Sequence, residues 1–358
     1  MQVLAIKNTQ SNAKKKNYCI LIITKNVLVG TTMNKIILFY KYIAIQYPKQ
    51  IMKWQQELCQ KLQLKGRILI SHEGINGTLG GTIENLGHYK EYMNTHDLFD
   101  KIDFKESSGG PECFPRLSVK VRNEAVSLGI PYDQLTPHNG GQHLNPAETH
   151  ALIAQNPHDL VILDARNNYE WEIGRFNNAI TPAIKNFRDL PQYLDENLDK
   201  FKDKQVLMYC TGGIRCERAS AYLNEKNIAK KVYQMDGGIH RYIEQYPDGF
   251  FRGKNYVFDS RIAVKVTDDI LGACALCSTP CDDYHNCLNA TCNKHFICCT
   301  HCLNKYNKMC SQICQTLIKE NKVQARPCFV SSFVETSSFA KATEDKSEDT
   351  VKLRKQNR

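Results

Sequence analysis

No stretch of the 358 residues offers the roughly twenty consecutive apolar side chains that a membrane span requires. The apolar patch at residues 19–23 is short, Lys25 interrupts it, and no small-residue cleavage site follows, so a secretory leader also fits poorly. Missing too is a G-x-G-x-x-G fingerprint, the glycine turn that lets a backbone approach a dinucleotide pyrophosphate, which argues against a flavin or NAD cofactor. No two-histidine, one-carboxylate pattern points to non-haem iron. Acids are absent from residues 1–32, which carry five lysines and no pattern of a folded domain. Met33, which opens a clean strand pattern, is the expected natural start, with the preceding residues an extension outside the fold.

What is present is length, basic charge and cysteine. The chain is long enough for two or three domains with cores of their own. Its 47 basic and 37 acidic residues give a formal charge of +10, compatible with RNA as a polyanionic partner. Losing the five N-terminal lysines would lower this to +5, so the charge alone does not decide the partner. Of the 16 cysteines, ten fall between Cys274 and Cys314. Behind so large a chain, that density reads as metal ligation in a reducing cytosol rather than as a disulfide framework.

Residues 33–129 read β-α-β-α-β. A strand at 35–45 precedes a helix after Pro48 with Ile51, Leu58 and Leu62 on one face. Then come a strand at 66–71, a helix at 83–94, and strands around Ile102 and at 117–121. This is a small ferredoxin-like α+β domain of the split βαβ type, with helices on one face of its sheet. Residues 72–81, HEGINGTLGG, are expected as a glycine-rich connection. Its glycines would open unusual φ angles, and His72, Glu73 and Asn76 are either candidate substrate-binding groups or the solvated polar residues of a glycine-rich hairpin. Residues 114–126 alternate apolar and charged, which puts Arg116, Lys120 and Arg122 on one strand face. That face is either simply solvated or a phosphate contact surface.

A proline- and glycine-rich linker, residues 130–146, leads to a second alternation over 147–262. A helix from Ala147, the apolar run LVILDAR, a helical segment at 187–198, a strand at 205–209, a helix to Asn227 and the strand in KVYQMDGG follow one another. This order indicates a doubly wound parallel sheet, in which reactive groups collect beyond the carboxyl ends of the strands. Asp164, followed by Arg166, and Cys210 both stand at such ends and should share one face.

The segment at 206–225 is the chemical centre of the chain. A short apolar strand delivers Cys210 to the turn Thr211, Gly212, Gly213, Ile214, with Arg215 and a helix directly after. Amide N–H groups of such a turn, the helix dipole and the guanidinium all favour anionic sulfur. Cys210 is therefore expected to be a low-pKa nucleophile, with Arg215 its electrostatic partner, provided the thiol can be reached. A lone cysteine at a strand end would more often be an inert core residue; the loop that follows reverses that expectation.

The cysteine-rich region, 263–328, pairs Cys274-x2-Cys277 with Cys299-x2-Cys302, or with Cys298 in place of Cys299. Cys281, Cys287 and Cys292 lie between, His285, His295 and His301 are interleaved, and Cys310 and Cys314 close the set. Two CxxC pairs about twenty residues apart are the spacing of a tetrahedral structural zinc site, and enough cysteines remain for a second. Spacing does not assign ligands to ions. Residues 329–358 turn to Ser, Thr, Lys and acids and are expected to be disordered.

The motifs LDARNNYEWEIGRFNNAI, YCTGGIRCERASAYL and VYQMDGGIHRY resemble a rhodanese domain. Its loop pattern of Cys, two residues, Gly, one residue, Arg falls on Cys210, Gly213 and Arg215. With GRILISHEGINGTLGG, FPRLSVKVRNEAVSLG and the cysteine-rich region in the same order, the chain resembles the tRNA uridine hydroxylases across roughly residues 33–314. That resemblance implies an acylphosphatase-like N-terminal domain. It also implies a cytoplasmic enzyme acting on the tRNA anticodon arm, with oxygen-dependent hydroxylation of wobble uridine 34 to 5-hydroxyuridine at Cys210. O2 would be the co-substrate, Zn2+ a structural ion, and neither DNA nor a membrane a partner. The residues themselves leave a sulfurtransferase passing persulfide sulfur from Cys210, or a zinc-dependent RNA-binding protein, as alternatives.

Overall fold

The computed structural model describes residues 33–326. The expectations for residues 1–32 and 329–358 lie outside the described residues.

The N-terminal unit runs β1 (Asn34–Tyr42), α1 (Pro48–Lys61), β2 (Lys65–Ser71), β3 (Gly74–Thr82), α2 (Ile83–Asn94), β4 (Lys105–Ser108) and β5 (Leu117–Val121). Pro48 opens α1, where its missing N–H costs no helical bond, and Thr82 caps α2 by accepting the Asn85 N–H at 3.1 Å. The sheet order is β4-β1-β3-β2-β5, antiparallel except for the β2–β5 pair. Period-two alternation divides the strands between two faces. Ile37, Phe39, Ile68, Ile70 and Leu79 pack with Leu58 of α1 and Leu86, Tyr89 and Met93 of α2. Ile36, Leu38, Tyr40, Arg67 and Leu69 point the other way.

Residues 72–81 correct the expectation of a connection. Only His72 and Glu73 form a turn; Gly74 onward is the central strand of the sheet. Its glycines serve close packing more than unusual φ angles. A Cβ at Gly77 would lie 2.3 Å from the Phe39 ring, and one at Gly81 would lie 2.3 Å from Leu64 Cδ2. The strand expected around Ile102 begins three residues later.

The second unit runs β6 (Gln142–Leu144), α3 (Pro146–Gln155), β7 (Leu160–Asp164), α4 (Asn168–Trp171), β8 (Gly174–Phe176), α5 (Leu190–Glu196), β9 (Gln205–Tyr209), α6 (Ile214–Glu225), β10 (Lys231–Met235), α7 (Gly238–Gln245), β11 (Phe251–Tyr256) and β12 (Ala263–Lys265). A parallel sheet of order β6-β10-β9-β7 forms its centre. Val206 and Met208 pack with Leu190, Leu194 and Leu223 of α5 and α6, whereas Leu207 and Tyr209 pack with Ile153, Ile239 and Tyr242 of α3 and α7. Both faces are thus covered, as a doubly wound sheet requires. The linker is less irregular than its composition implies, because β6 joins the edge of this sheet. β8, β11 and β12 form a separate three-stranded sheet with no counterpart in the sequence reading.

The C-terminal region holds β13 (Tyr284–Asn286), β14 (His295–Ile297), α8 (Thr300–Lys305) and α9 (Gln312–Lys319) around a small core that includes six buried cysteines. No described helix is long and apolar enough to cross a membrane.

Candidate active site

Cys210 directly follows β9, and its sulfur accepts the Gly213 N–H at 3.1 Å. Gly213 has φ 102°, a conformation glycine adopts without the penalty a side chain brings. The first amides of α7 hold the loop from behind, with Ile239 N–H donating to Cys210 O at 3.0 Å and His240 N–H to Thr211 O at 3.1 Å. Gly238 permits that approach, since a Cβ there would lie 2.5 Å from Cys210 O. Burial alone would push the thiol pKa up. A hydrogen bond from Cys216, the Arg215 charge and the backbone N–H groups of Arg215 and Gly213 reverse this and bring it to about 5.

Arg215 is fixed in turn by Glu170 on α4, a residue the sequence reading passed over. The fork is bidentate, at 2.5 and 2.7 Å, with Glu170 fully buried and Thr211 Oγ1 bonded to the same carboxylate at 3.3 Å. Burial pushes the Glu170 carboxyl up, and the Arg215 guanidinium more than reverses it, leaving the group below its ordinary range. The sequence signal available was indirect: a guanidinium drawn into the interior by the loop needs an acid, and α4 supplies one just after the end of β7.

The open face of the N-terminal sheet covers this loop. Leu38 Cδ2 lies where a Cβ at Gly212 would come within 2.5 Å of it, and Tyr40 Oη is similarly close to Gly213. Tyr40 donates to Glu217 at 3.0 Å, and Arg218 of α6 pairs with Glu73 at 2.6 Å, both side chains fully buried. Between sheet and loop lies a cavity of about 310 Å³, at the small end of the range for ligand sites. Cys210, Thr211, Gly212, Ile214 and Arg215 form one wall; Leu38, Tyr40, Arg67, Leu69 and Asn76 form another. Cys210 is 0% exposed, so it is approached through this cavity and not from bulk solvent. Phe258, 46% exposed, stands in the lining with its ring 5.8 Å from the Arg215 guanidinium carbon. His240 lines it too, its pKa lowered to about 4 by burial and by the nearby Arg261, Lys105 and Arg241 charges.

The remaining site expectations divide. Asn76 reaches the cavity and donates to Ala125 O at 3.0 Å. His72 does not reach it; its Nδ1 meets Ile45 O at 3.0 Å. Glu73, expected as a substrate group, is consumed by Arg218 and the Ala125 N–H, and holds the two units together. Asp164 and Arg166 lie behind the loop as a fully buried bidentate pair, with Arg166 also donating to Gly174 O at 2.7 Å, so neither faces the cavity. Arg116, Lys120 and Arg122 are exposed. Lys120 is in register with Leu69 and Ser118 with Arg67, which makes their face of β5 an extension of the cavity wall.

In the C-terminal region the cysteines resolve into two quartets, Cys274, Cys277, Cys299 and Cys302, and Cys287, Cys292, Cys310 and Cys314, each with all sulfurs within 4.8 Å of one another. The sulfurs of Cys277 and Cys299 are 3.6 Å apart, those of Cys292 and Cys310 3.6 Å, and those of Cys310 and Cys314 3.9 Å. A tetrahedral ion with 2.3 Å metal–sulfur bonds would separate them by about 3.8 Å, so both quartets fit a metal such as zinc. Cys281 belongs to neither quartet; it packs in the apolar cluster, as does Cys298. Cys310 and Cys314 complete the second site instead. His295 stacks on Tyr284 with centroids 4.3 Å apart and is not among the clustered groups.

Comparison with known families places a UPF0176 acylphosphatase like domain at residues 34–125, a Rhodanese-like domain at 145–245 and a Rhodanase C-terminal domain at 252–315. The tRNA uridine(34) hydroxylase of Corynebacterium jeikeium is 42% identical over 276 residues, covering 75% of this chain and 89% of that protein. Its counterpart in Corynebacterium aurimucosum is 43% identical, covering 76% and 92%. The one in Chlamydia abortus is 40% identical, covering 77% and 85%. The chain belongs to the tRNA uridine(34) hydroxylase family.

Proposed function

We propose that this protein hydroxylates uridine 34 of tRNA to 5-hydroxyuridine, with Cys210 as the reacting group. One observation carries the reading: an ionised thiol at the wall of a base-sized cavity whose opposite wall continues into an exposed cationic strand face. An enzyme acting on a base must take it out of its stack, and an anticodon loop offers bases that are already unpaired. Arg116, Lys120 and Arg122 would follow the phosphates of the anticodon arm while the target base enters beside Arg67 and Asn76. Phe258 presents a ring on which that base can stack.

Cys210 is held as a thiolate by groups that cost nothing to reorganise, namely loop amides and a guanidinium pinned by Glu170. The loop stabilises negative charge equally well on sulfur or on an oxygen bound to it. Dioxygen, as co-substrate, would supply the hydroxyl oxygen. Zn2+ in the two cysteine quartets would fold the C-terminal region without entering the reaction. The reduced cysteines and the tRNA substrate agree with a cytoplasmic protein.

Nucleoside mass spectrometry of tRNA from a deletion strain tests the reading. Loss of 5-hydroxyuridine, restored by the wild-type gene and not by Cys210→Ala, is expected. Restoration by Cys210→Ala would refute it, and loss of a thiolated nucleoside instead would favour persulfide transfer.

A further inference from the structure

Resting on that reading, we infer that Cys216 resolves oxidised Cys210, so that each hydroxylation ends in a disulfide between these two residues. Placing one atom of O2 into the C5–H bond of uridine leaves a second oxygen atom and requires two electrons from another donor. The sulfur of Cys210 can supply them. In balanced form, C5–H, O2 and the Cys210 thiolate give C5–OH and a Cys210 sulfenate; carbon and sulfur each lose two electrons and dioxygen gains four.

The sulfenate must then be returned to a thiol, and the structure provides one neighbour for the task. Cys216 sits on the first turn of α6, its N–H donating to Gly213 O at 2.9 Å, while the N–H of the same glycine donates to the Cys210 sulfur at 3.1 Å, so one residue of the loop ties both cysteines together. Both side chains are 0% exposed and share one apolar cluster. The other described cysteines are elsewhere: Cys59 in the N-terminal core, Cys113 beside Ile36, and the rest in the C-terminal region. An external thiol could reach the sulfenate only through the cavity that the target base enters, whereas Cys216 is already beside it in the loop.

The proton path is as short as the sulfur path. Burial and the neighbouring Cys210 keep the Cys216 thiol protonated, so its proton can pass to the sulfenate oxygen as its sulfur attacks. The Cys210–Cys216 bond forms, the sulfur–oxygen bond breaks, and the oxygen leaves as water with that proton and one from solvent. A dithiol reductant then restores both thiols.

The test uses the full chain, reduced and then freed of reductant, with unmodified tRNA transcript and O2. Product should stop at about one 5-hydroxyuridine per chain, matched by an equal amount of Cys210–Cys216 disulfide in non-reducing peptide maps, and dithiothreitol should restore turnover. In Cys216→Ser, Cys210 should accumulate as a dimedone-reactive sulfenate, and turnover with dithiothreitol should fall at least tenfold. Product beyond one per chain without reductant, product with both thiols free, or wild-type turnover by Cys216→Ser would overturn the inference alone. Absence of product from wild type even with reductant would overturn the hydroxylase reading and this inference with it.

Discussion

The ionisation of Cys210 is the most exposed consequence of the loop geometry. Its pKa stands at about 5 against an ordinary 9.0, a preference for the thiolate of about 5 kcal/mol. Burial opposes that preference, so the Cys216 hydrogen bond, the Arg215 charge and the loop amides together supply more than this amount. Two measurements follow. The rate of Cys210 alkylation by iodoacetamide, quantified on its own peptide, should rise with pH around a midpoint near 5 and be flat above pH 7. In the Arg215→Gln/Glu170→Gln variant, which removes the cation without stranding its buried counter-ion, the midpoint should rise by about one to three pH units. The same shift bears on stability. Because the folded-state pKa is depressed, its contribution is complete above about pH 9, declines as pH falls, and is gone below about pH 5; about 3 kcal/mol remains at pH 7. The difference in unfolding free energy between wild type and Cys210→Ser should shrink over that window. An alkylation midpoint near 8.5 in the wild type would refute the reasoning, since no arrangement of amides that leaves the thiol ordinary can be called a nucleophile cradle.

Three further outcomes are expected. Glu73→Gln leaves the buried Arg218 guanidinium with only the more distant Glu124 carboxylate, at 3.7 Å, and should cost about 3 kcal/mol in urea unfolding, whereas Glu73→Gln with Arg218→Met should recover most of it; equal losses in both would remove the ion pair's role in joining the units. Elemental analysis should find two metal ions per chain, one fewer in Cys302→Ser and in Cys314→Ser, and no change in Cys281→Ser, which lies outside both quartets. Lys120→Glu with Arg116→Glu should weaken tRNA binding and flatten its dependence on log salt by about 0.7 per lost phosphate contact; an unchanged slope would mean the strand face is merely solvated.

How far the site could be read from the chain depends on how local each part is. Cys210, the glycine turn and Arg215 are contiguous, and both the loop and its anion-stabilising chemistry were legible because strand, turn and helix follow one another within about twenty residues. The quartets were half legible. CxxC spacing announces a site, but the second set combines Cys287 and Cys292 with Cys310 and Cys314, whose separations follow from the β13–β14 hairpin and α9, which pattern alone does not fix. Residues 72–81 misled for a definite reason: glycine signals turns through its freedom in φ, yet here it marks where Phe39 and Leu64 press against a strand. Glu73 misled for a second, since an acid near a glycine turn has the same signature whether it meets substrate or a buried arginine 145 residues away.

Least legible was the cover over the thiol. Leu38 and Tyr40 occupy strand positions that alternate away from the helix-packed face, and in isolation such a face reads as solvent-exposed. Docking against the Cys210 loop changes what that face does. It turns a nucleophile that would stand open at the strand ends into one reached only through a cavity bounded by two domains, and neither domain contains the site by itself. This explains why the ion pair between Glu73 and Arg218 is placed at the seam and fully buried. If the pair holds the wall in position, Glu73→Gln/Arg218→Met should keep the fold and the Cys210 ionisation while hydroxylation falls, because thiolate and cavity are then separated as requirements.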